Sequence, residues 1–185
     1  PMNEGAKMQL AGKDDMLIAY CEMSPPQYLT LNRNNGEVVG MQNQAITDFA
    51  ITKHHSMINF NDHLYAACEK DGFAGMLPLD GGASFGVNNA FNPQLQFAQI
   101  TNGQLILSVR SIPPDLSTPD FSSLLFYNSN GSLNLSVQPE QIPVRTPKYI
   151  YAGAEADGTY TLLGLTPENQ AFIIKVDNNG KMISF

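Results

Sequence analysis

The chain has 185 residues, of which 43% are hydrophobic and 15% charged, and its formal net charge is −7 at pH 7. This composition excludes a disordered chain and allows one domain, or two small ones, with a substantial core. The acidic balance excludes a basic nucleic-acid footprint, and no apolar run approaches the roughly 20 residues of a membrane-spanning helix. The first residues lack a charged segment followed by an apolar one, so no signal peptide is expected there.

Short apolar runs separated by turn residues predict β-strand pairs along the whole chain. No segment shows a sustained apolar pattern at i, i+3, i+4 and i+7, so almost no helix is expected. In chain order, the predicted hairpins turn at Asp14-Asp15, Gly36, Asn61-Asp62, Gly82, Asn102-Gly103, Gly131, Asp157-Gly158 and Gly180.

Alternate turns recur at a regular interval. Gly36, Gly82, Gly131 and Gly180 are spaced about 46, 49 and 49 residues apart, an interval typical of repeat architectures. Each repeat reads strand, turn, strand, longer loop, strand, turn, strand. The predicted units cover approximately residues 7–41, 57–87, 95–137 and 148–185.

The last hairpin, AFIIKVDNNGKMISF, contains an Asp-x-Asn-Gly sequence that is also found in calcium loops. An EF-hand loop alternates oxygen ligands and adds a bidentate Glu near its end. Asp177 is followed by two amides, and no Glu comes after them. Apolar alternation before Asn179-Gly180 and an apolar run after it instead predict a hairpin.

Two cysteines occupy the same place in the first and second repeats. These are Cys21 and Cys68, and Val109 and Gly164 take the equivalent positions in the third and fourth repeats. The number and spacing of the cysteines fit neither a disulfide framework nor a zinc site. A position that accepts Cys, Val and Gly is typical of core packing, so both thiols are predicted to be buried.

A four-stranded unit of about 45 residues cannot bury both of its faces alone, whereas radial stacking of such units produces β-propeller blades. The repeats resemble NHL-like and delta-60-type propeller repeats, most closely in DGTYTLLGLTPENQAFIIKVDNNGKMISF. The predicted fold class is therefore all-β and β-propeller-like, with about four four-stranded antiparallel blades. A β-sandwich built of hairpins is the alternative.

The repeats predict a single propeller, or a fragment of one, over residues 1–185. Three arrangements fit the repeat: a four-bladed ring, part of a larger propeller, and a homodimer whose two copies complete one ring. The low charge and the high Asn, Ser and Thr content favour an extracytoplasmic or secreted protein without fixing the compartment.

Candidate binding residues lie where loops are expected on one face of the blades. His54 and His55 fall in the predicted connection between the first two units. Arg110, Asp115 and Asp120 belong to SIPPDLSTPDFSS and its edge, the longest predicted loop within a unit, and Arg110 is expected to pair with one of the aspartates. Loops on a rigid scaffold often carry function. The alternative is a proline-stiffened solvent loop.

No motif for a nucleophilic serine or a phosphate loop is present. Adjacent residues on an extended chain point to opposite sides, so His54 and His55 are not expected to share a metal ion. We therefore expect no cofactor, and a non-catalytic scaffold that binds a protein partner through its loop face. The alternatives are part of a propeller hydrolase or lyase, and a glycan-binding, lectin-like propeller.

Overall fold

A computed structural model describes residues 8–21, 27–41, 51–88, 92–115, 120–137, 144 and 147–185. Within these ranges all regular secondary structure is β-strand, and no helix of the length and hydropathy needed to cross a membrane occurs. The strands are β1 (Met8–Lys13), β2 (Met16–Cys21), β3 (Gln27–Asn32), β4 (Val38–Met41), β5 (Ile51–Phe60), β6 (His63–Lys70), β7 (Phe73–Pro78), β8 (Phe85–Asn88), β9 (Pro93–Thr101), β10 (Gln104–Ser111), β11 (Phe121–Tyr127), β12 (Leu133–Val137), β13 (Lys148–Ala154), β14 (Tyr160–Leu165), β15 (Ala171–Val176) and β16 (Met182–Ser184).

Each set of four consecutive strands forms its own four-stranded sheet in sequential order. We name these the first sheet (β1–β4), the second (β5–β8), the third (β9–β12) and the fourth (β13–β16). Four separate antiparallel meanders confirm the predicted all-β, propeller-like fold class. The chain does not merge its hairpins into the two larger sheets of a sandwich.

One turn geometry closes the last hairpin of both the third and the fourth sheet. Gly131 and Gly180 have φ angles of 81° and 77°, a left-handed conformation that glycine adopts without steric cost. The Gly131 N–H donates to the Asn128 carbonyl at 2.8 Å, and the Gly180 N–H donates to the Asp177 carbonyl at 3.0 Å. The strand register then shifts, so the Asn/Asp-x-x-Gly repeat specifies a bulged hairpin.

The Asp177 carboxylate organises the last of these turns. Its Oδ1 accepts the backbone N–H of Lys181 at 2.9 Å and that of Asn179 at 2.8 Å. These hydrogen bonds favour the ionised carboxylate and hold the pKa of Asp177 below its ordinary value. Turn backbone therefore occupies the carboxylate, which confirms the hairpin interpretation of the Asp-x-Asn-Gly sequence.

Backbone contacts divide the described residues into two compact units. The first unit falls within residues 1–71 and 76–84, and the second within residues 72–75 and 85–185. In the first unit the first sheet packs on the second, and the ring of Tyr20 stacks on that of His54 with centroids 3.7 Å apart. The assignment of residues 1–185 to a single propeller or propeller fragment stays a prediction.

In the second unit the third and fourth sheets pack face to face. Ile106, Leu124 and Phe126 of the third sheet share one apolar cluster with Leu162 and Ile174 of the fourth, and all five side chains are fully buried. Burying a side chain of this size contributes roughly 1.5–3 kcal/mol, so this interface supplies much of the stability of the unit.

Both cysteines are buried free thiols, as the repeat predicted. Burial raises the pKa of the Cys68 thiol to about 12, which keeps the thiol neutral and unreactive. The equivalent residues Val109 and Gly164 are buried as well. The position therefore serves core packing in all four repeats.

Gly86 lies against the backbone of β7 in the second sheet. A Cβ added at Gly86 would meet the Ala74 carbonyl oxygen at 2.3 Å, and its φ of 145° is rare for other residues. We expect Gly86→Ala to lower the free energy of unfolding by about 3 kcal/mol, measured by urea denaturation. Gly40→Ala is the control: its Cβ would have no neighbour closer than 3.9 Å. Equal midpoints for the two variants would contradict the prediction.

Candidate functional site

A groove opens between the third and fourth sheets of the second unit, at the end where β10 leads into the loop towards β11. Its volume is about 280 Å³. Strand ends of both sheets form its walls, and the turn between β14 and β15 closes one side. We call it the loop-end groove; its lining residues are Gln96, Arg110, Pro147, Lys148, Leu165, Thr166, Pro167 and Asn169.

Arg110 is the sequence-predicted residue that lines this groove. It is the next-to-last residue of β10, where it pairs with Ser122 of β11 and has an exposed side chain. Its Nη2 donates to Oδ2 of Asp120 in an ion pair. The expected pairing with an aspartate of this loop is therefore present, while a role of the pair in binding stays a prediction.

Lys148 adds a second cation to the rim. It is the first residue of β13, and its side chain is exposed. Within the described part of the chain no carboxylate forms an ion pair with Lys148. Among the described residues, the rim therefore carries two cations against one carboxylate, that of Asp120, in a chain whose net charge is −7. An anionic group entering the groove would meet a local excess of positive charge.

The remaining walls of the groove are fixed by hydrogen bonds. The buried Ser108 hydroxyl donates to Oε1 of Gln96 at 2.6 Å and orients that amide. In the adjacent turn, the Asn169 N–H donates to the Thr166 carbonyl at 2.9 Å, and the Gln170 N–H donates to the Thr166 hydroxyl at 3.2 Å. The groove is thus built before any ligand arrives.

Asp115 occupies a different position from the other two predicted residues of this loop. It is exposed in the loop after β10 and lies outside the lining of the groove. Asp120, which is half-buried, reaches the rim through Arg110. The structure therefore brings Arg110 and Asp120 together at the groove and leaves Asp115 on the solvent side.

His54 lies within β5, so its expected location in a connection between units was wrong. The strand begins at Ile51, and His54 pairs with Cys68 of β6. Its Nδ1 lies 2.8 Å from the Tyr28 hydroxyl, and its Nε2 lies 3.1 Å from Oε1 of Gln9. Burial lowers the pKa of His54 to about 4, with a further lowering from His55. This histidine packs one sheet on another.

His55 is also part of β5, and its side chain engages a different partner. Its Nε2 lies 2.7 Å from Oε1 of Glu69, and Nζ of Lys53 lies 3.4 Å from the same oxygen. The two adjacent histidines thus contact separate sets of residues, as extended backbone requires. Among the described residues, no group of three or more His, Cys, Asp or Glu side chains is placed to hold a metal ion.

A second cavity, of about 400 Å³, lies at the opposite, hairpin end of the third and fourth sheets. Several of its polar side chains are held by hydrogen bonds. Gln104 Nε2 donates to Oδ1 of Asn128 at 3.3 Å, Asn102 Nδ2 donates to the Ala154 carbonyl at 2.9 Å, and Asn134 Nδ2 donates to the Tyr160 hydroxyl at 2.8 Å. The buried Oε1 of Gln104 has no hydrogen-bond partner among the described residues.

Sequence reasoning missed Lys148, Gln96 and Asn169 as groove residues. Lys148 directly follows Pro147 at the start of a predicted strand, and Asn169 belongs to the short turn TPEN. That turn holds the place of the long loop of the third repeat. Comparing equivalent loops between neighbouring repeats would have pointed to Asn169.

No protein family matches this chain, and no curated protein matches it. Among solved structures, the crystal structure of BamB from Moraxella catarrhalis is similar, with a TM-score of 0.35 and 9% sequence identity. The similarity covers 93% of this chain and 64% of BamB, so the chain spans less than two thirds of the length of that protein. The NHL-like resemblance stays a prediction, and the fold assignment depends on the sheet topology of this chain.

The buried His54 predicts a pH-dependent stability. The ordinary pKa of 6.5 applies to the unfolded chain, and a pKa of about 4 applies to the folded one. Between these values the unfolded state binds more protons, so the free energy of unfolding decreases as the pH is lowered from 6.5 to 4. Allowing for partial solvent screening, we expect a loss of about 1–2 kcal/mol.

Urea denaturation of His54→Gln between pH 7 and pH 4 checks this expectation, because the variant should lose that part of the slope. His63→Gln is the matched control: it removes a histidine at the start of β6 and retains His54. An unchanged slope in His54→Gln would contradict the prediction.

The Arg110–Asp120 pair is expected to contribute little to stability. Its side chains are 44% and 26% exposed, and exposed ion pairs contribute about 0–1 kcal/mol. Arg110→Gln should therefore lower the free energy of unfolding by less than about 1 kcal/mol, as should the control Lys175→Gln, which breaks the exposed pair with Asp157. A loss above about 2 kcal/mol in Arg110→Gln would instead assign the pair a structural role.

Proposed function

We propose that this protein is a non-catalytic, β-propeller-like interaction scaffold that binds a protein partner through the loop-end groove. The supporting observation is the groove itself, a preformed cleft with Arg110 and Lys148 on its rim and only Asp120 as a described counter-charge. Arg110, a binding residue predicted from the sequence, lines this groove.

The size of the groove favours one anchoring segment of a larger partner over a whole small molecule. Ligand pockets for small molecules are typically about 300–1,000 Å³ and enclose most of the ligand. A groove of about 280 Å³ accommodates one or two side chains of a loop or an extended peptide. The rest of such a partner would contact the surrounding surface.

The chemistry of the rim indicates an acidic anchor. A partner carboxylate would pair with Lys148 and could share the Arg110 guanidinium with Asp120, since guanidinium groups bind carboxylates through two parallel hydrogen bonds. Leu165, Pro147 and Pro167 supply apolar contacts beside these charges. A segment with one Asp or Glu next to an apolar residue matches this arrangement.

The rigidity of the walls supports recognition without rearrangement. Arg110 and Leu165 each follow a buried residue of their own strand, and the turn at Thr166 is closed by three hydrogen bonds. A preformed site spends little binding free energy on ordering its own side chains. This is the behaviour expected of a scaffold.

Site-specific photocrosslinking in cells of the source organism tests the proposal. A photoreactive residue at Lys148 should capture a discrete protein, whereas the same residue at Lys181 should not. Lys181 is also exposed and lies at the opposite, hairpin end of the fourth sheet. Arg110→Glu should lower capture at position 148 by at least about tenfold, because charge reversal on the rim repels an acidic anchor.

Identical crosslinked species at positions 148 and 181 would remove the groove from consideration. Capture at 148 that is unaffected by Arg110→Glu would likewise contradict an acidic anchor. Urea denaturation of Arg110→Glu itself separates a loss of binding from a loss of folding.

A further inference from the structure

The fourth sheet buries one face and leaves the other open. Leu162 and Ile174 are fully buried against the third sheet, while Ile173, next to Ile174, is 62% exposed. Ile173 pairs with Leu163 of β14, and Leu163 pairs with Tyr151 of β13, which is 44% exposed. These side chains form an apolar row across three strands on the open face.

Equivalent positions of the other three repeats are covered. In each repeat, the second turn begins with an Asn or an Asp. The residue four positions before it lies on the third strand of the sheet. In chain order, these residues are Tyr28, Met76, Leu124 and Ile173. The first three are 1%, 0% and 0% exposed, whereas Ile173 is 62% exposed. Leu124 is covered by the following sheet. Ile173 therefore has the residue type of an interface position, and no sheet formed by the described residues covers it.

The first sheet has a complementary open face. Leu10 of β1 is 58% exposed and Val38 of β4 is 51% exposed. Leu17 on β2 pairs with Leu31 on β3, and Leu31 pairs with Val38 on β4. These three side chains lie on the same face of the first sheet as Leu10. In the third repeat, Leu105 and Tyr127 hold the places of Leu17 and Leu31.

In the third sheet, Leu105 and Tyr127 are 0% and 8% exposed, whereas their equivalents Leu17 and Leu31 in the first sheet are half-buried. Large contiguous apolar patches on a protein surface usually mark a docking site. The chain thus carries both halves of one more sheet-on-sheet interface of the kind that joins its third and fourth sheets.

We propose that the open face of the fourth sheet docks on the open face of the first sheet of a second copy of this chain. The occupant is argued from the repeat, because the covered position of Leu124 shows that a following β-sheet is what packs on this face. The first sheet presents an uncovered apolar surface at the equivalent interface positions.

Such a contact joins two different surfaces, so it is heterologous. Each copy offers one face of each kind, and two copies either satisfy both contacts in a closed pair or continue into a longer assembly. The inference goes beyond the proposed groove, because Ile173, Leu163 and Tyr151 of the apolar row do not line it.

Sedimentation equilibrium of the purified protein tests the proposal. The molecular mass of the wild-type protein should rise with concentration to at least twice the 20.2 kDa of one chain. Ile173→Lys blocks the fourth-sheet face and Leu10→Lys blocks the first-sheet face, and each variant alone should associate at least about tenfold more weakly, because a lysine must then be buried without a partner. Leu133→Lys, at a site 54% exposed on β12, is the matched control and should associate like wild type.

Mixing the two blocked variants provides the discriminating experiment. Ile173→Lys retains its first-sheet face and Leu10→Lys retains its fourth-sheet face, so an equimolar mixture should recover a one-to-one complex. A wild type that stays monomeric at every concentration would overturn the proposal. Association that survives both substitutions, or a mixture that stays monomeric, would overturn it as well. Circular dichroism confirms that each variant is folded. Because Lys148 pairs with Leu165 on the open face of the fourth sheet, the mass of a species crosslinked at position 148 distinguishes a second copy of this chain from a different protein partner.

Discussion

Face-to-face packing of β-sheets is the constraint on which this structure depends. Side chains alternate between the two faces of a strand, so a sheet with one neighbour buries every second residue and a sheet with two neighbours buries nearly all of them. In the fourth sheet, β14 and β15 are buried at alternate positions, and the buried Leu162 and Ile174 pack against the third sheet. The burial pattern of these two strands therefore records packing on one face.

The same packing creates the loop-end groove. Arg110 ends a strand of the third sheet and Lys148 begins a strand of the fourth, and they come to one rim because the faces of these sheets share the core of Leu124 and Ile174. Apolar packing thus positions charged groups that are distant in sequence. The ion pair with Asp120 orients Arg110 without contributing much to folding.

The hairpins and the four-sheet topology were predictable because the signals are local. Glycines at left-handed positions and the Asn or Asp before them specify the turns within a few residues. The start of β5 was missed because the polar run KHHS hides it, and those residues extend the strand by pairing with a long β6, as His54 does with Cys68. Lys148 was missed for a different reason: its role depends on which sheet lies beside β13, and no short pattern encodes that neighbour.

The two ends of the third sheet differ in how much change in chain length they can absorb. At its hairpin end the turns are held by Asn102-Gly103 and Gly131, whose positive φ angles leave no room for insertion without shifting the strand register. At the other end, nine residues (112–120) join β10 to β11, where the fourth sheet uses five (166–170) to join β14 to β15. An insertion at this end alone would lengthen a loop and leave the register of every hairpin in the sheet unchanged, so this is the end at which an engineered peptide insertion is best accommodated.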